Sequence, residues 1–174
     1  MTKHIEFPSK NEYPVYAEMY MKLVTQDGSL IEQLKASFEK TKALINGFSN
    51  EKLDYRYQKN KWSIKEVLVH IIDDERIYGY RALSFARNDK TNLPGFEQDD
   101  YSLNADTFER TIENIMEEYE AVRLATMTLF NGLSDRALKR VGIANKNQAS
   151  ARALGYHILG HELHHIKIIE DKYL

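Results

Sequence analysis

Four of the chain's six histidines, His157, His161, His164 and His165, fall within nine residues near its end, in Gly155-Tyr-His-Ile-Leu-Gly-His-Glu-Leu-His-His165. Neutral imidazole presents a lone pair without burying a charge, so a cluster of this kind points to a metal ion. Residues four apart stand one turn above each other on a helix, which lets His161 and His165 aim both rings at one point. Two ligands on one helix cannot close a shell, and a third must come from elsewhere. His4 belongs to a loose N-terminal stretch. That leaves His70, in Val67-Leu-Val-His-Ile-Ile-Asp-Asp74.

These residues need helices to position them, and the hydrophobic spacing between loops is helical rather than alternating. The first long helix is expected to open at Ser29, where Ser29-Leu-Ile-Glu32 has capping-box spacing, and to run to about Asn46 before Gly47. A shorter helical piece from Val15 to Val24 precedes it. Residues 49–61 read as a loop. The second long helix opens at Ser63-Ile-Lys-Glu66, another capping box, with Trp62 and Val67 spaced as a hydrophobic staple, and extends to about Asn88. A long connection from Asn88 to Asn104 carries Pro94-Gly95 and the acidic Glu97, Asp99 and Asp100. A third helix is expected from Ala105 to about Asn131 behind an Asn104 cap, then a Gly132 stop and a helical turn from Ser134. The fourth runs from about Gln148 to the end.

On a wheel of about 100° per residue, Leu154, Ile158, Ala151, Ile169, Ile166 and Tyr173 define the apolar arc of the last helix. Arg152, Lys167, Glu170 and Asp171 define the solvated one. His161 and His165 fall inside the apolar arc, His157 at its edge and His164 further round. Glu162 also falls on the apolar side, where a carboxylate requires either the site or a basic partner. His70 lies at the border of its helix's apolar face, in one stripe with Asp74 and Arg81. Asp74 and Glu162 are therefore the candidates to support the ligands from behind.

The chain has 174 residues, 43% hydrophobic content and no cysteine. That bounds one domain over residues 1–174, without disulfides or thiolate ligands. A net charge of -2, with no basic run, argues against nucleic acid as a partner. No apolar stretch approaches a membrane span or the core of a signal peptide, so a cytoplasmic protein is expected, with no membrane partner.

Lys61-Trp-Ser-Ile-Lys-Glu-Val-Leu-Val-His70, the acidic stretch after it and His161-x-x-x-His165 together resemble the DinB/YfiT-like superfamily. The tryptophan-serine cap eight residues before the first histidine and Leu93-Pro-Gly-Phe-Glu-Gln-Asp-Asp100 add to the likeness, which spans nearly the whole chain. The resemblance implies an all-α four-helix bundle of up-down-down-up topology, a homodimer, and a three-histidine site on His70, His161 and His165. It implies zinc or nickel in that site. It also implies a small-molecule substrate and a reaction drawn from thiol-dependent transfer, with a low-molecular-weight thiol as co-substrate, or hydrolysis.

Two other readings compete. His161-Glu-Leu-His-His165 satisfies the H-E-x-x-H metalloprotease pattern, in which the glutamate activates water, but only nine residues follow and no further histidine. A non-catalytic dimeric bundle with a structural or vestigial metal is the other. It expects a closed fourth ligand, for example His157, His164 or Asp74, and no cavity.

Overall fold

Four long helices carry the computed structural model, which describes residues 2–174: α1 Leu30–Ile45, α2 Ile64–Ala86, α3 Ile112–Gly132 and α4 Ala151–Tyr173. Met1, where the reading for a signal peptide begins, lies outside the described residues. Helices α1 and α2 each pack against both α3 and α4, so the two consecutive helices stand on a diagonal of the bundle. The core falls into two clusters that also give the helix directions. Leu30 and Leu34 of α1 share one with Tyr78 and Phe85 of α2, Phe130 of α3, and Leu154 and Ile158 of α4. Ile45, Val67, Ile72, Ile115, Tyr119, Ile169 and Tyr173 fill the other. Helices α1 and α4 therefore run from the first cluster to the second and α2 and α3 run back, the expected up-down-down-up order. No helix among the described residues is long and apolar enough to cross a membrane.

The start of α2 forms as its sequence dictates. Ser63 Oγ accepts from the Glu66 amide at 3.3 Å, and the Ser63 amide donates to Glu66 Oε2 at 2.6 Å. At α1 the same spacing does not close. Ser29 makes no capping bond, because its hydroxyl donates to Asp27 Oδ1 at 2.5 Å and accepts from the Gln33 side-chain Nε2 at 3.1 Å. The 49–61 loop contains a short helix, Asn50–Asp54, capped by Ser49. Helix α3 starts at Ile112 rather than Ala105, since Asp106 sits in the left-handed region at φ 47° and Thr111 supplies the cap.

Residues 141–150, read partly as loop and partly as helix, form a hairpin of β1 Val141–Ala144 and β2 Asn147–Ser150. Asn145 and Lys146 turn it with φ 48° and 62°, the paired positive values of a type I′ turn. It bonds to the Asn88–Asn104 connection through Leu93, which bridges Ala144.

At the other end of the chain a 3₁₀ turn Val15–Ala17 leads into a helical turn Glu18–Met21 that lies on α4. Their approach depends on Gly160, where a Cβ would stand 2.5 Å from the Tyr20 carbonyl oxygen. Arg152, placed on the solvated arc of the wheel, is instead buried. It bonds Glu12 at 2.6 and 2.8 Å and Glu6 at 3.0 Å, because the N-terminal segment covers that face.

Candidate metal centre

His161 and His165 project from successive turns of α4, and His70 meets them from the antiparallel α2. The Nε2 atom of His161 lies 3.0 Å from that of His70 and 3.1 Å from that of His165. The three ligand atoms lie within 4.8 Å of one another, and no other such group of histidines and carboxylates occurs among the described residues. Trp62, fixed by the cap of α2, leans on His70 with ring centroids 4.8 Å apart. Tyr20 sets its ring edge against His157, His161 and His164.

Three converging imidazole nitrogens cannot satisfy one another. A neutral imidazole has one N–H and one in-plane lone pair, so His161 Nε2 cannot make a good hydrogen bond to both His70 and His165. Asp74 sharpens this conflict. Its Oδ2 stands 3.4 Å from His161 Nδ1 and 3.5 Å from His157 Nε2, and a carboxylate facing Nδ1 favours the tautomer that bares Nε2. Two nitrogens bound about 2.1 Å from one ion stand roughly 3 Å apart when the angle between them is near a right angle, which is the spacing of His161 Nε2 from each of the other two. Donor type, spacing and tautomer fit a divalent cation.

Electrostatics agree. Burial pushes the His161 imidazole down to about 3, against the opposing pull of Asp74, and His165 down to about 2. Burial lowers His70 too, opposed by Asp74 and Asp99. All three rings are thus neutral at pH 7 and able to ligate. Burial would raise Asp74, but the facing His161 and His157 rings more than offset it and hold the carboxyl below its usual range. Asp74 Oδ2 is fully buried without a hydrogen bond of good geometry. The structure thus places Asp74 beside His161, where the sequence reading sets it beside His70.

Glu162 faces the other way. Its carboxylate takes bonds from Arg123 at 2.9 Å and Thr41 at 3.0 Å, and Arg123 also holds Glu75 and the Leu34 carbonyl. This is the basic partner that burial demanded, and it corrects Glu162 as a group behind the ligands. The commitment also removes the general base that the protease pattern requires. His157 is stacked on Tyr78 at 3.8 Å and 4°, and His164 is half-buried; neither reaches the convergence point. Tyr156 is buried with its hydroxyl on the Ile5 carbonyl, whereas Tyr80 is exposed.

Only His165 of the three is partly exposed, and it opens on a polar cleft of about 360 Å³ lined by Lys61, Trp62, Gln98, Asp99 and Tyr173. The acidic connection supplies Asp99 to this mouth; an ordinary solvated loop is the commoner outcome for such a segment. Sequence reasoning missed Tyr20, which no spacing marks, and Arg123, which two glutamates on buried faces could have announced.

Fold and site define a four-helix bundle protein with a candidate three-histidine metal centre. The chain belongs to the DinB superfamily, whose family model matches residues 33–169. It is 23% identical over 142 residues to a protein of Oceanobacillus iheyensis that carries the provisional name of metal-dependent hydrolase, covering 80% of this chain and 81% of the other. Among solved structures it is similar to YfiT from Bacillus subtilis, described as a probable metal-dependent hydrolase with an unusual four-helix bundle topology. There the TM-score is 0.65 at 15% identity, over 95% of this chain and 93% of that one.

Proposed function

We propose that the protein is a metal-dependent enzyme in which His70, His161 and His165 hold a divalent ion, zinc or nickel, and that it acts on a small molecule admitted through the cleft at His165. The observation that carries this reading is the convergence of three neutral Nε2 atoms at the inner end of that cleft. An ion held there supplies a Lewis acid able to acidify water or a thiol.

The chain's own residues do the rest. Asp74 faces His161 Nδ1 and favours the tautomer that bares Nε2. Trp62 and Tyr20 close the sides of the histidine cluster against water. Lys61 and Asp99 line the entrance, where they meet a polar substrate. Hydrolysis is the reading the relatives' names support. Transfer to a low-molecular-weight thiol uses the same acidifying property, and a chain without cysteine would draw that thiol from solution.

An open position would separate this reading from a structural metal, and none of His157, His164 and Asp74 belongs to the metal-capable group formed by His70, His161 and His165. Cobalt(II) substitution tests it. The visible spectrum of the cobalt protein is expected to shift on adding azide or a small thiol, and a spectrum unmoved by either contradicts an open site.

A further inference from the structure

Buried cations in this protein come with carboxylates, with one exception. Arg123 holds Glu75 and Glu162, Arg152 holds Glu6 and Glu12, and Lys65 holds Asp54. Arg81, only 5% exposed, has no carboxylate within ion-pair distance among the described residues. Its single hydrogen bond runs from Nη2 to the Pro94 carbonyl at 2.9 Å, and its guanidinium lies over the Tyr78 ring at 4.9 Å. Aromatic faces and one carbonyl offset part of the cost of burying a charge, but most of the five guanidinium donors remain without a protein acceptor.

Arg81 lines a cavity of about 20 Å³, on the far side of His157 from the histidine cluster, roofed by the β1–β2 hairpin at Ala144 and Asn147. Tyr13, Tyr16 and Tyr78 line it as well. The Tyr16 and Tyr78 hydroxyls are 3.3 Å apart, so one donates to the other and the second proton is left to give. The guanidinium edge and the spare phenol proton are donors without a protein acceptor, open to solvent and so to a solute anion. The volume suits about one water-sized group, such as a halide or the head of a carboxylate.

We propose that this cavity is an anion site, in which Arg81 takes a small monovalent anion, a carboxylate group or a halide, under the hairpin. The site stands apart from the metal reading: it uses none of His70, His161 and His165.

The test follows thermal unfolding of the full chain at constant ionic strength, with a bulky sulfonate exchanged for acetate and, in a parallel series, for chloride. A saturable rise in Tm of a few degrees is expected with at least one of them and is absent in Arg81→Gln. Acetate alone assigns the site to carboxylates, chloride alone to halides. No rise beyond sulfonate in the wild type, or an equal rise in R81Q, overturns the proposal. Should R81Q fail to fold, the double variant Tyr16→Phe with Tyr78→Phe decides. Losing both hydroxyls while keeping both rings is expected to raise the half-saturating anion concentration roughly 3- to 10-fold, and an unchanged value overturns the proposal.

Discussion

Asp74 Oδ2 lies 3.4 Å from His161 Nδ1, on the side of the ring opposite the nitrogen that faces His70 and His165. A carboxylate in this position fixes which nitrogen carries the proton and raises the basicity of the other. Asp74→Asn keeps the shape and removes the charge. It is expected to weaken zinc binding roughly 10- to 100-fold while the fold persists. Competition with a chromophoric chelator measures this directly, and wild-type affinity in D74N would show that the contact has no bearing on the site.

The residues next in sequence to these two are built into a different device. Glu75 and Glu162 both reach Arg123, which is 2% exposed and also bonds the Leu34 carbonyl, so one guanidinium ties all four long helices. Arg123→Met strands two buried carboxylates and is expected to cost about 3–5 kcal/mol in urea unfolding. Adding Glu75→Leu and Glu162→Leu should return most of that loss, because an apolar replacement of a buried ion group is often neutral. A single variant within about 1 kcal/mol of wild type would refute this.

Gly160 reverses the usual rule for glycine in a helix. Glycine-to-alanine in an open helix position gains about 1 kcal/mol. Here the new Cβ meets the Tyr20 carbonyl at 2.5 Å, so Gly160→Ala is expected to destabilise by about 1–3 kcal/mol and to loosen the N-terminal segment from α4. Limited proteolysis before residue 28 should accelerate with it. A stabilised variant would mean that the segment does not rest on the helix as described.

Acid should release the same segment by another route. The Arg152 guanidinium holds the Glu12 carboxyl at about 2, below its ordinary 4.5, against a smaller rise from burial. A carboxyl lowered in the folded state contributes stability that is complete above about pH 4.5 and is lost as pH falls through about 2. The Tm difference between wild type and Glu12→Gln is therefore expected to be widest near neutrality and to close over that interval. A difference that stays constant on acidification contradicts the ion pair.

Much of this was legible in the residues themselves. The cap at Ser63, the turn at Ser134 and the i, i+4 histidines each rest on interactions confined to a few neighbouring residues, and each appears where its spacing put it. What could not be read depends on distant partners. The Ser29 box was lost to Asp27 and Gln33, and Arg152 left its solvated arc because the N-terminal segment folds over it. The hairpin was hidden by its four-residue strands and by an Asn-Lys turn lacking the glycine that usually marks one. Its place in the fold comes from Leu93, some fifty residues earlier. The histidine triad itself was legible as types and spacing, whereas Tyr20 and the free edge of Arg81 emerge only from packing.

Metal content tests the central claim most directly. Elemental analysis of purified wild type after zinc or nickel reconstitution, beside His161→Ala with stability recorded for both, is expected to find about one ion per chain in the wild type. The variant should hold none while remaining folded. A wild type that stays metal-free, or an H161A protein that keeps its ion, would contradict a site built on His70, His161 and His165.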